Sequence, residues 1–415
     1  MEPIRVALVG VGNCATSLVQ GVEYYRNAAN GARIPGLMNT ALGGYRPRVI
    51  EFACAFDIDE RKVGKDLSEA ILAAPNCAVK ICDVPKLHVP VYMGPVHDGI
   101  SSSMEGREPA KRFMAAKAKP VDVAAMLKKH NVQVVVLYLP VGSQKAVEFY
   151  AQAAINAGCA VINCLPVFLA SDPAWAAKFT KAGLPILGDD IKSQVGATIV
   201  HRVLTRLFED RGVQLKNTYQ LNVGGNTDFL NMLDHTRLAT KKTSKTRAVT
   251  SQLDKAISAD SVHIGPSDYV PWLKDNKLCF LRMEGAGFGD IPLEIELRLS
   301  VQDSPNSAGV VIDAVRCAKL ALDAGLAGPI TGPSSYFFKH PPVQYADSEC
   351  LEQTKAFIAA NEPFSKATKN GHAKNGHAKA NGKAAKNGAK NGKHGAKKRR
   401  KTYAYPEPKP IVVPR

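Results

Sequence analysis

A glycine-rich turn and a lysine-rich stretch lie close together near the middle of the chain. Residues 222–231 read NVGGNTDFLN, and residues 241–247 read KKTSKTR. Consecutive glycines let backbone N–H groups approach a ligand, amides and carboxylates can grip hydroxyls, and ammonium groups can stabilise a phosphate or a developing enolate. The pattern therefore predicts a site for a polyanion. A turn followed by a solvated basic surface would explain the same residues.

Lys241 and Lys245 carry the cationic part of this pattern. Their separation of four residues would place both side chains on one face of a helix. Repulsion between two ammonium groups can lower the pKa of one of them and make a proton carrier available. If this stretch is helical, its cations are therefore suited to acid–base chemistry.

A second glycine motif follows the first apolar run of the chain. Residues 10–15 read GVGNCA, which fits the pattern G-x-G-x-x-A between a predicted strand and a predicted helix. The first glycine permits a tight turn, the second leaves space for a pyrophosphate, and the helix N-terminus supplies positive potential. We therefore expect a dinucleotide to contact Gly10, Gly12, Asn13, Cys14 and Ala15.

An acidic residue at the end of the second predicted strand should bind the adenosine ribose. Asp57, in ACAFDIDERKVG, is the preferred candidate. It lies beyond the usual separation of ~20 residues, because residues 27–48 look like an insertion. An acid at this position favours NAD over NADP, since it would repel the 2′-phosphate. Asp59 is the alternative if the strand continues.

Polar residues also stand where later apolar runs end. Pro140 and Ser143 lie at the end of VQVVVLYLP, and Asn163 lies in AVINCLP. Ligands of a doubly wound sheet lie over the carboxyl ends of its strands, so all three are candidate cofactor contacts. Ser143 fits an ordinary helix N-cap equally well, and Asn163 has the same ambiguity.

The segment LGDDIKSQVGAT, residues 187–198, places paired acids, a lysine and a serine at another strand end. Asp190 and Ser193 could hold the nicotinamide or a phosphate, while Lys192 supplies positive charge. A helix cap with surface ions would explain Ser193 alone but not the whole cluster. We therefore include Asp190 and Ser193 among the predicted cofactor contacts.

The elements that must position these residues form an α/β pattern. Short apolar runs without polar alternation, separated by helical patterns, predict buried parallel strands in a doubly wound domain. After residue 190 the runs alternate, as in VQLKNTYQLNV and IPLEIELRLSVQD, which predicts strands with one covered face. The predicted units are a Rossmann-like domain (1–196, resumed at 304–364), an inserted α+β domain (197–303) and a disordered basic tail (365–415).

The net charge of +17 belongs mainly to the tail. Residues 366–401 contain thirteen Lys and Arg and no Asp or Glu, and the chain before residue 366 carries only +3. The tail could attach weakly to nucleic acid or an acidic partner, or serve only as a solubilising extension.

The nine cysteines lack any C-x-x-C pair, which favours reduced core residues over a disulfide or zinc framework. Without a signal peptide or an apolar run of ~18 residues, we expect a soluble cytoplasmic protein.

The motifs VGVGN, GDDIKSQVGAT, NVGGNTDFLN, KKTSKTRAV, VQDSPNSAGVVIDAVR and SSYFFKHPP occur in one chain in this order. They resemble the myo-inositol-phosphate synthase family over nearly all of residues 5–342, and the compact length resembles its prokaryotic branch. The chain departs from the longer eukaryotic pattern at GVGNCA, which replaces a more glycine-rich loop. The tail lies outside the resemblance.

The resemblance implies conversion of D-glucose 6-phosphate to 1D-myo-inositol 3-phosphate with NAD as a recycled cofactor, the first step of inositol and inositol-phospholipid synthesis. Hydride leaves C5, the resulting ketone acidifies the C6 proton, C6 attacks the C1 aldehyde, and the hydride returns. Net oxidation is zero, so the enzyme would be an isomerase. The resemblance also implies a homotetramer.

The same resemblance assigns the site residues. Cations must surround an enolate and two alkoxides, and the matching lysines and acids are expected to serve the reaction. A monovalent or divalent cation near the nicotinamide phosphate stays open, because no motif establishes a metal site. The implied catalytic residues are Lys241, Lys245, Lys277, Lys339, Asp190 and Asp303, and the implied substrate contacts are Ser193, Asn226 and Asp228.

Two other functions compete with this interpretation. An NAD-dependent sugar-phosphate or semialdehyde dehydrogenase would share the fold and the cofactor but release NADH. A nucleic-acid-binding protein would rely on the tail, which has no aromatic residues before Tyr403 and so offers charge with little base-reading chemistry.

Overall fold

The structure is a computed structural model that describes residues 2–29 and 34–371. Residues 372–415, which make up most of the predicted tail, lie outside the described residues. None of the described helices is long and apolar enough to cross a membrane.

A seven-stranded parallel sheet forms the first layer, with strand order β11-β6-β5-β4-β1-β2-β3. Its strands are apolar on both faces because helices cover both faces, as a doubly wound sheet requires. The strands are β1 (Ile4–Val9), β2 (Ile50–Asp57), β3 (Val91–Met93), β4 (Val134–Leu137), β5 (Ala160–Asn163), β6 (Pro185–Leu187) and β11 (Gly328–Pro329).

A second sheet has the strand order β10-β9-β7-β8 and is built from the middle of the chain. Strand β7 runs parallel to β8 and antiparallel to β9. One face carries Leu281 and Met283 against Phe208 of an adjacent helix. On the other face Tyr219 is 36% exposed and Phe280 40% exposed. The strands are β7 (Gln214–Gly224), β8 (Val262–Tyr269), β9 (Asn276–Ala286) and β10 (Pro292–Gln302).

The helices connect and cover these sheets. They are α1 (Asn13–Tyr24), α2 (Leu67–Ala70), α3 (Val123–Lys129), α4 (Gln144–Ala157), α5 (Pro173–Ala182), α6 (Ala197–Asp210), α7 (Thr227–Asn231), α8 (Ala239–Thr250), α9 (Pro305–Asp323), α10 (Thr331–Phe337) and α11 (Asp347–Gly371).

Helix α9 joins the second sheet back to the first. It begins three residues after β10 and packs along α1, with fifteen of its residues buried. Val310, Val311 and Ile312 enter the same apolar core as Leu18 and Val22. The first layer is therefore completed by residues from both ends of the described chain.

The predicted α/β class with a parallel sheet is confirmed. Strands β3, β8, β9 and β11 were not predicted. Strands β3 and β11 are only three and two residues long, and β8 and β9 mix polar and apolar residues irregularly. Helix α11 extends to Gly371, so residues 365–371 of the predicted tail have helical backbone. The proposed domain boundaries stay predictions.

Candidate active site

A cavity lies at the carboxyl ends of β1, β4, β5 and β6, where the second sheet and helices α7 and α8 approach the first sheet. Its wall includes Gly12, Asn13, Cys14, Pro140, Asp190, Ser193, Asn226, Asp228, Lys241, Lys245, Lys277, Asp303 and Lys339. All six predicted catalytic residues and all three predicted substrate contacts thus face one cavity.

The glycine loop forms the end of the cavity next to α1. Gly10 has φ +89°, and a Cβ there would lie 2.5 Å from the Tyr138 carbonyl oxygen, so only glycine fits without rearrangement. Gly12 differs, because its Cβ would meet no atom within 4 Å. Gly12 also precedes α1 without a side-chain cap, which leaves helix N–H groups available to a ligand. This space and these donors fit a pyrophosphate.

Replacing Gly12 by valine is expected to weaken NAD binding by about 100-fold, equivalent to about 2.8 kcal/mol, because the added side chain would fill the space left for the pyrophosphate. The protein should still fold, since nothing lies within 4 Å of the new Cβ. NAD titration followed by thermal unfolding of the free variant measures both effects. Gly287→Val, whose Cβ would meet only one backbone oxygen at 3.8 Å, is the matched control. Wild-type affinity in Gly12→Val would refute this placement of the dinucleotide.

Asp57 lies at the end of β2 beside this loop. Its carboxylate accepts a hydrogen bond from the Val11 backbone N–H at 2.7 Å and from the N–H groups of Ile58 and Asp59. The Asp59 carboxylate is instead fully buried and paired with Arg61 at 2.6 Å. Between the two candidates, Asp57 has the position that suits a ribose.

Lys241 and Lys245 lie one turn apart on α8, so the condition for a shared helix face is met. The Lys241 ammonium group donates to the Asp228 carboxylate at 2.8 Å. Burial alone would lower the pKa of Lys241, but Asp228 and Asp190 outweigh it and the pKa is raised. Lys241 is therefore a fixed cation.

The pKa of Lys245 is shifted in the direction opposite to that of Lys241. It is 8% exposed and has no ion pair within the described part of the chain. Burial, followed by repulsion from Lys241, Lys339 and Lys277, lowers the pKa of Lys245 to about 7. Of the two α8 lysines that line the cavity, Lys245 is the one able to exchange a proton near neutral pH.

Asp190 and Lys339 meet although 149 residues separate them in the sequence. Lys339 Nζ donates to Asp190 Oδ1 at 2.8 Å, and the Ser244 hydroxyl donates to Oδ2 at 2.7 Å. Burial would raise the pKa of Asp190, but Lys339 and Lys241 leave it below its usual value. The backbone of Asp190 has φ +63°, which is uncommon for a residue other than glycine. Hydrogen bonds to Leu165 and Lys339 hold it there.

Lys277 and Asp303 form a third ion pair in the cavity wall. They extend from β9 and from the segment between β10 and α9. Burial would raise the pKa of Asp303, but the Lys277 ammonium group lowers it below the usual value. The cavity thus holds Lys277, Lys241 and Lys339 each beside a carboxylate, with Lys245 among them.

Helix α6 begins at the cavity wall. Its N-cap is Gly196, which provides no side-chain cap, and Ala197, Thr198 and Ile199 of its first turn line the cavity together with Ser193. The first N–H groups of a helix and its dipole favour an anion. This end of the cavity is suited to a phosphate.

Several predicted residues lie away from the cavity wall. Ser143 is fully buried at the start of α4, makes no capping hydrogen bond and lies 3.4 Å from Arg237. Asn163 is also fully buried and donates to the Asp189 carboxylate at 2.7 Å. Lys192 points elsewhere, donating to the Ser335 carbonyl oxygen. Direct cofactor contact by Ser143 or Asn163 stays a prediction.

Sequence reasoning missed two polar residues of the site. Ser244 bonds to Asp190, and it was overlooked because serine is common on helices. Asp275 is buried beside the cavity and bonds to Asn13, Asn226 and Ser304. Its position two residues before Lys277 was the available signal, but a single acid in a loop has no diagnostic spacing.

Known proteins resemble this chain in sequence and in fold. The family model described as myo-inositol-1-phosphate synthase matches residues 196–304. Inositol-3-phosphate synthase of Mycolicibacterium smegmatis is 58% identical over 359 residues, covering 86% of this chain and 98% of the relative. Inositol-3-phosphate synthase of Corynebacterium glutamicum is 56% identical over 360 residues, covering 86% of this chain and 98% of that relative. The crystal structure of a myo-inositol-1-phosphate synthase-related protein from Thermotoga maritima shares the fold, with a TM-score of 0.71, 22% identity, and 86% of this chain and 99% of that chain covered.

Proposed function

The chain belongs to the myo-inositol-1-phosphate synthase family, and from this premise we propose that it converts D-glucose 6-phosphate to 1D-myo-inositol 3-phosphate. The observation that carries the proposal is the convergence of four lysines and three carboxylates in one cavity beside a glycine loop. An aldol cyclisation develops negative charge on oxygen atoms, and preorganised cations stabilise such charge.

NAD is the proposed cofactor, held by Gly12, Asn13 and Cys14 at the start of α1 and by Asp57 at the ribose. When bound, NAD accepts the C5 hydride of the sugar and returns it after ring closure. The open space at Gly12, the free N-terminus of α1 and the absence of a cationic partner on Asp57 among the described ion pairs support this assignment. Pro140 and Ser193 line the adjoining wall.

The lysines have two proposed roles, which are to stabilise negative charge on the sugar oxygens and to transfer protons. Lys241, held protonated by Asp228, is suited to donate hydrogen bonds to a sugar oxygen that gains negative charge. Lys245, with its pKa near 7, is suited to move a proton. Lys277 and Lys339 would stabilise the remaining oxygens while Asp303 and Asp190 orient them.

The substrate phosphate is proposed to lie at the N-terminus of α6, next to Ser193. Asn226 and Asp228 would then face the sugar hydroxyls. This orientation is supported by the first-turn residues of α6 in the wall and by the position of α7, whose N-cap is Asn226.

Incubation of the protein with glucose 6-phosphate and NAD well below the substrate concentration tests the function. We expect many equivalents of inositol phosphate per NAD and no net NADH, because each hydride returns to the product. Phosphate-resolved chromatography and absorbance at the NADH band measure both. Stoichiometric NADH without cyclised product would instead favour the dehydrogenase alternative.

The assembly and the other chain segments belong to the proposal as well. We propose a homotetramer that uses the uncovered face of the second sheet and the β9–β10 turn, where Phe288 is fully exposed and Ile291 is 67% exposed. We also propose a cytoplasmic location, the domain boundaries at residues 196, 303 and 364, and a tail without a part in turnover.

A further inference from the structure

Asp275 stands at the junction of three segments that build the cavity, although it does not line the cavity itself. Its side chain is 1% exposed. Asp275 Oδ1 accepts hydrogen bonds from Asn13 Nδ2 at 3.1 Å, from Asn226 Nδ2 at 3.1 Å and from the Ser304 hydroxyl at 2.9 Å. Oδ2 accepts from the Ser304 backbone N–H at 3.1 Å. One carboxylate therefore satisfies four donors.

These four donors belong to three residues in different parts of the site. Asn13 lies in the glycine loop, where a dinucleotide would bind. Asn226 caps α7 through its other amide atom, with Asp228 N–H at 3.1 Å, and Asp228 in turn holds Lys241. Ser304 follows Asp303, whose backbone N–H also donates to the Asp275 carbonyl oxygen at 2.9 Å. The contacts of Asp275 thus extend toward both halves of the cavity.

The chemistry of these contacts suits an ionised carboxylate. All four partners are donors, and a carboxylate is the side-chain group that only accepts. Burial raises the pKa of Asp275, and repulsion from Asp303 adds to this, whereas the Asn226 and Ser304 hydrogen bonds oppose it. The Asn13 and Asn226 amide N–H groups and the Ser304 backbone N–H can only donate, and among these partners only the Ser304 hydroxyl could also accept, so the geometry favours the charged form.

We propose that Asp275 is a positioning residue that couples the dinucleotide site to the sugar-phosphate site, so that each ligand strengthens binding of the other. NAD fixes the loop around Asn13, and this fixes the carboxylate that Asn226 and Ser304 share. The substrate segments then lose less conformational freedom when the sugar phosphate binds. Coupling of this kind is reciprocal and typically amounts to about 5- to 150-fold in affinity.

The inference rests on the proposed function for its two ligand sites and for the choice of probe. The NAD dissociation constant is measured with and without saturating 1D-myo-inositol 3-phosphate, the proposed product. Because the product is saturating in the second measurement, the ratio of the two NAD dissociation constants does not depend on how tightly the product itself binds. The ratio should exceed about 5 in the unmodified protein.

Asp275→Asn is the first variant. The new carboxamide group replaces one acceptor oxygen by an N–H donor, which faces groups that already donate. The ratio should fall to about 1, the value for uncoupled sites. Asp260→Asn, an exposed acid of the same sheet region, should keep the wild-type ratio. A wild-type ratio in Asp275→Asn, or a ratio of 1 in the unmodified protein, would overturn the inference.

The exchanged pair Asp275→Asn with Asn226→Asp separates coupling from general damage. The new carboxylate at position 226 can still cap α7 with one oxygen and can accept from the new amide at position 275 with the other. The logarithm of the ratio of NAD dissociation constants should fall in Asp275→Asn. We expect the double variant to recover more than half of that decrease. A double variant that remains uncoupled would contradict the proposal. If the single variant does not fold, the result of the double variant alone tests the proposal. Absence of turnover in the unmodified protein would contradict the proposed function only, because the coupling is obtained from binding.

Discussion

Replacing Lys245 by methionine is expected to lower turnover by ~10² to 10³-fold while NAD remains bound, because the variant loses a group that acts mainly in the transition state. Methionine keeps most of the apolar stem but carries no proton. Product formation from glucose 6-phosphate at verified cofactor occupancy measures the effect. Lys242→Met is the matched control, since Lys242 is an exposed neighbour on α8. Equal turnover in the two variants would remove Lys245 from the mechanism.

The same substitution should make the protein more stable at and below neutral pH. The folded-state pKa of Lys245 is about 7, below the value of about 10.4 for an unfolded chain. Between these values the unfolded state binds more protons, so the wild-type protein gains stability as pH rises through this window. The penalty of the buried cation is complete below pH about 7. We therefore expect Lys245→Met to raise Tm more at pH ~6 than at pH ~9, a difference that unfolding scans would detect.

Replacing Arg202 by methionine is expected to lower the free energy of unfolding by about 3 kcal/mol, because it removes a fully buried guanidinium group and leaves the partly buried Asp347 carboxylate without its nearest cation. The Arg202 side chain is fully buried and lies 3.0 Å from the Asp347 carboxylate. It also donates to the Ala248 carbonyl oxygen at the end of α8 and to the Tyr345 carbonyl oxygen. Without it, the nearest cation to Asp347 in the described ion pairs is Lys192, at 3.9 Å.

Arg206→Met supplies the comparison for this prediction. Arg206 lies one turn further along α6, and its ion pairs with Asp210 and Asp254 are solvent-exposed. Exposed pairs contribute about 0 to 1 kcal/mol, so denaturant unfolding should show a much smaller loss. Similar losses in both variants would mean that the contacts of Arg202 add nothing to those of an ordinary surface arginine.

The local features of this protein were accessible from sequence, and the long-range ones were not. The four-residue spacing of Lys241 and Lys245 is enough to predict a shared face once the segment is helical, since helix geometry is local. The glycine loop between β1 and α1 follows from the same kind of reasoning. The pairing of Asp190 with Lys339 depends on how β6 and the segment after α10 meet, which no spacing encodes. The resemblance supplied that pair as a set of residues without its geometry.

Residues that act through others were the hardest to anticipate. Asp275 and Arg202 have ordinary sequence surroundings, and their importance comes from contacts with segments distant in the chain. Strand β9 was missed because Lys277 and Arg282 interrupt its apolar pattern. Burial of polar groups is decided by tertiary packing, so a single sequence gives little sign of it.

The late return of α9 to the first sheet has a consequence for synthesis on the ribosome. Helix α1 packs against α9, and about 280 residues separate the end of α1 from the start of α9. At ~5–20 residues per second, translation of that stretch takes roughly 15 to 60 s. During this time the apolar side of the nascent α1, including Leu18 and Val22, lacks its native cover. Nascent chains shorter than about 320 residues should therefore recruit chaperones and be cut readily by proteases, and protection should begin only when α9 has left the exit tunnel.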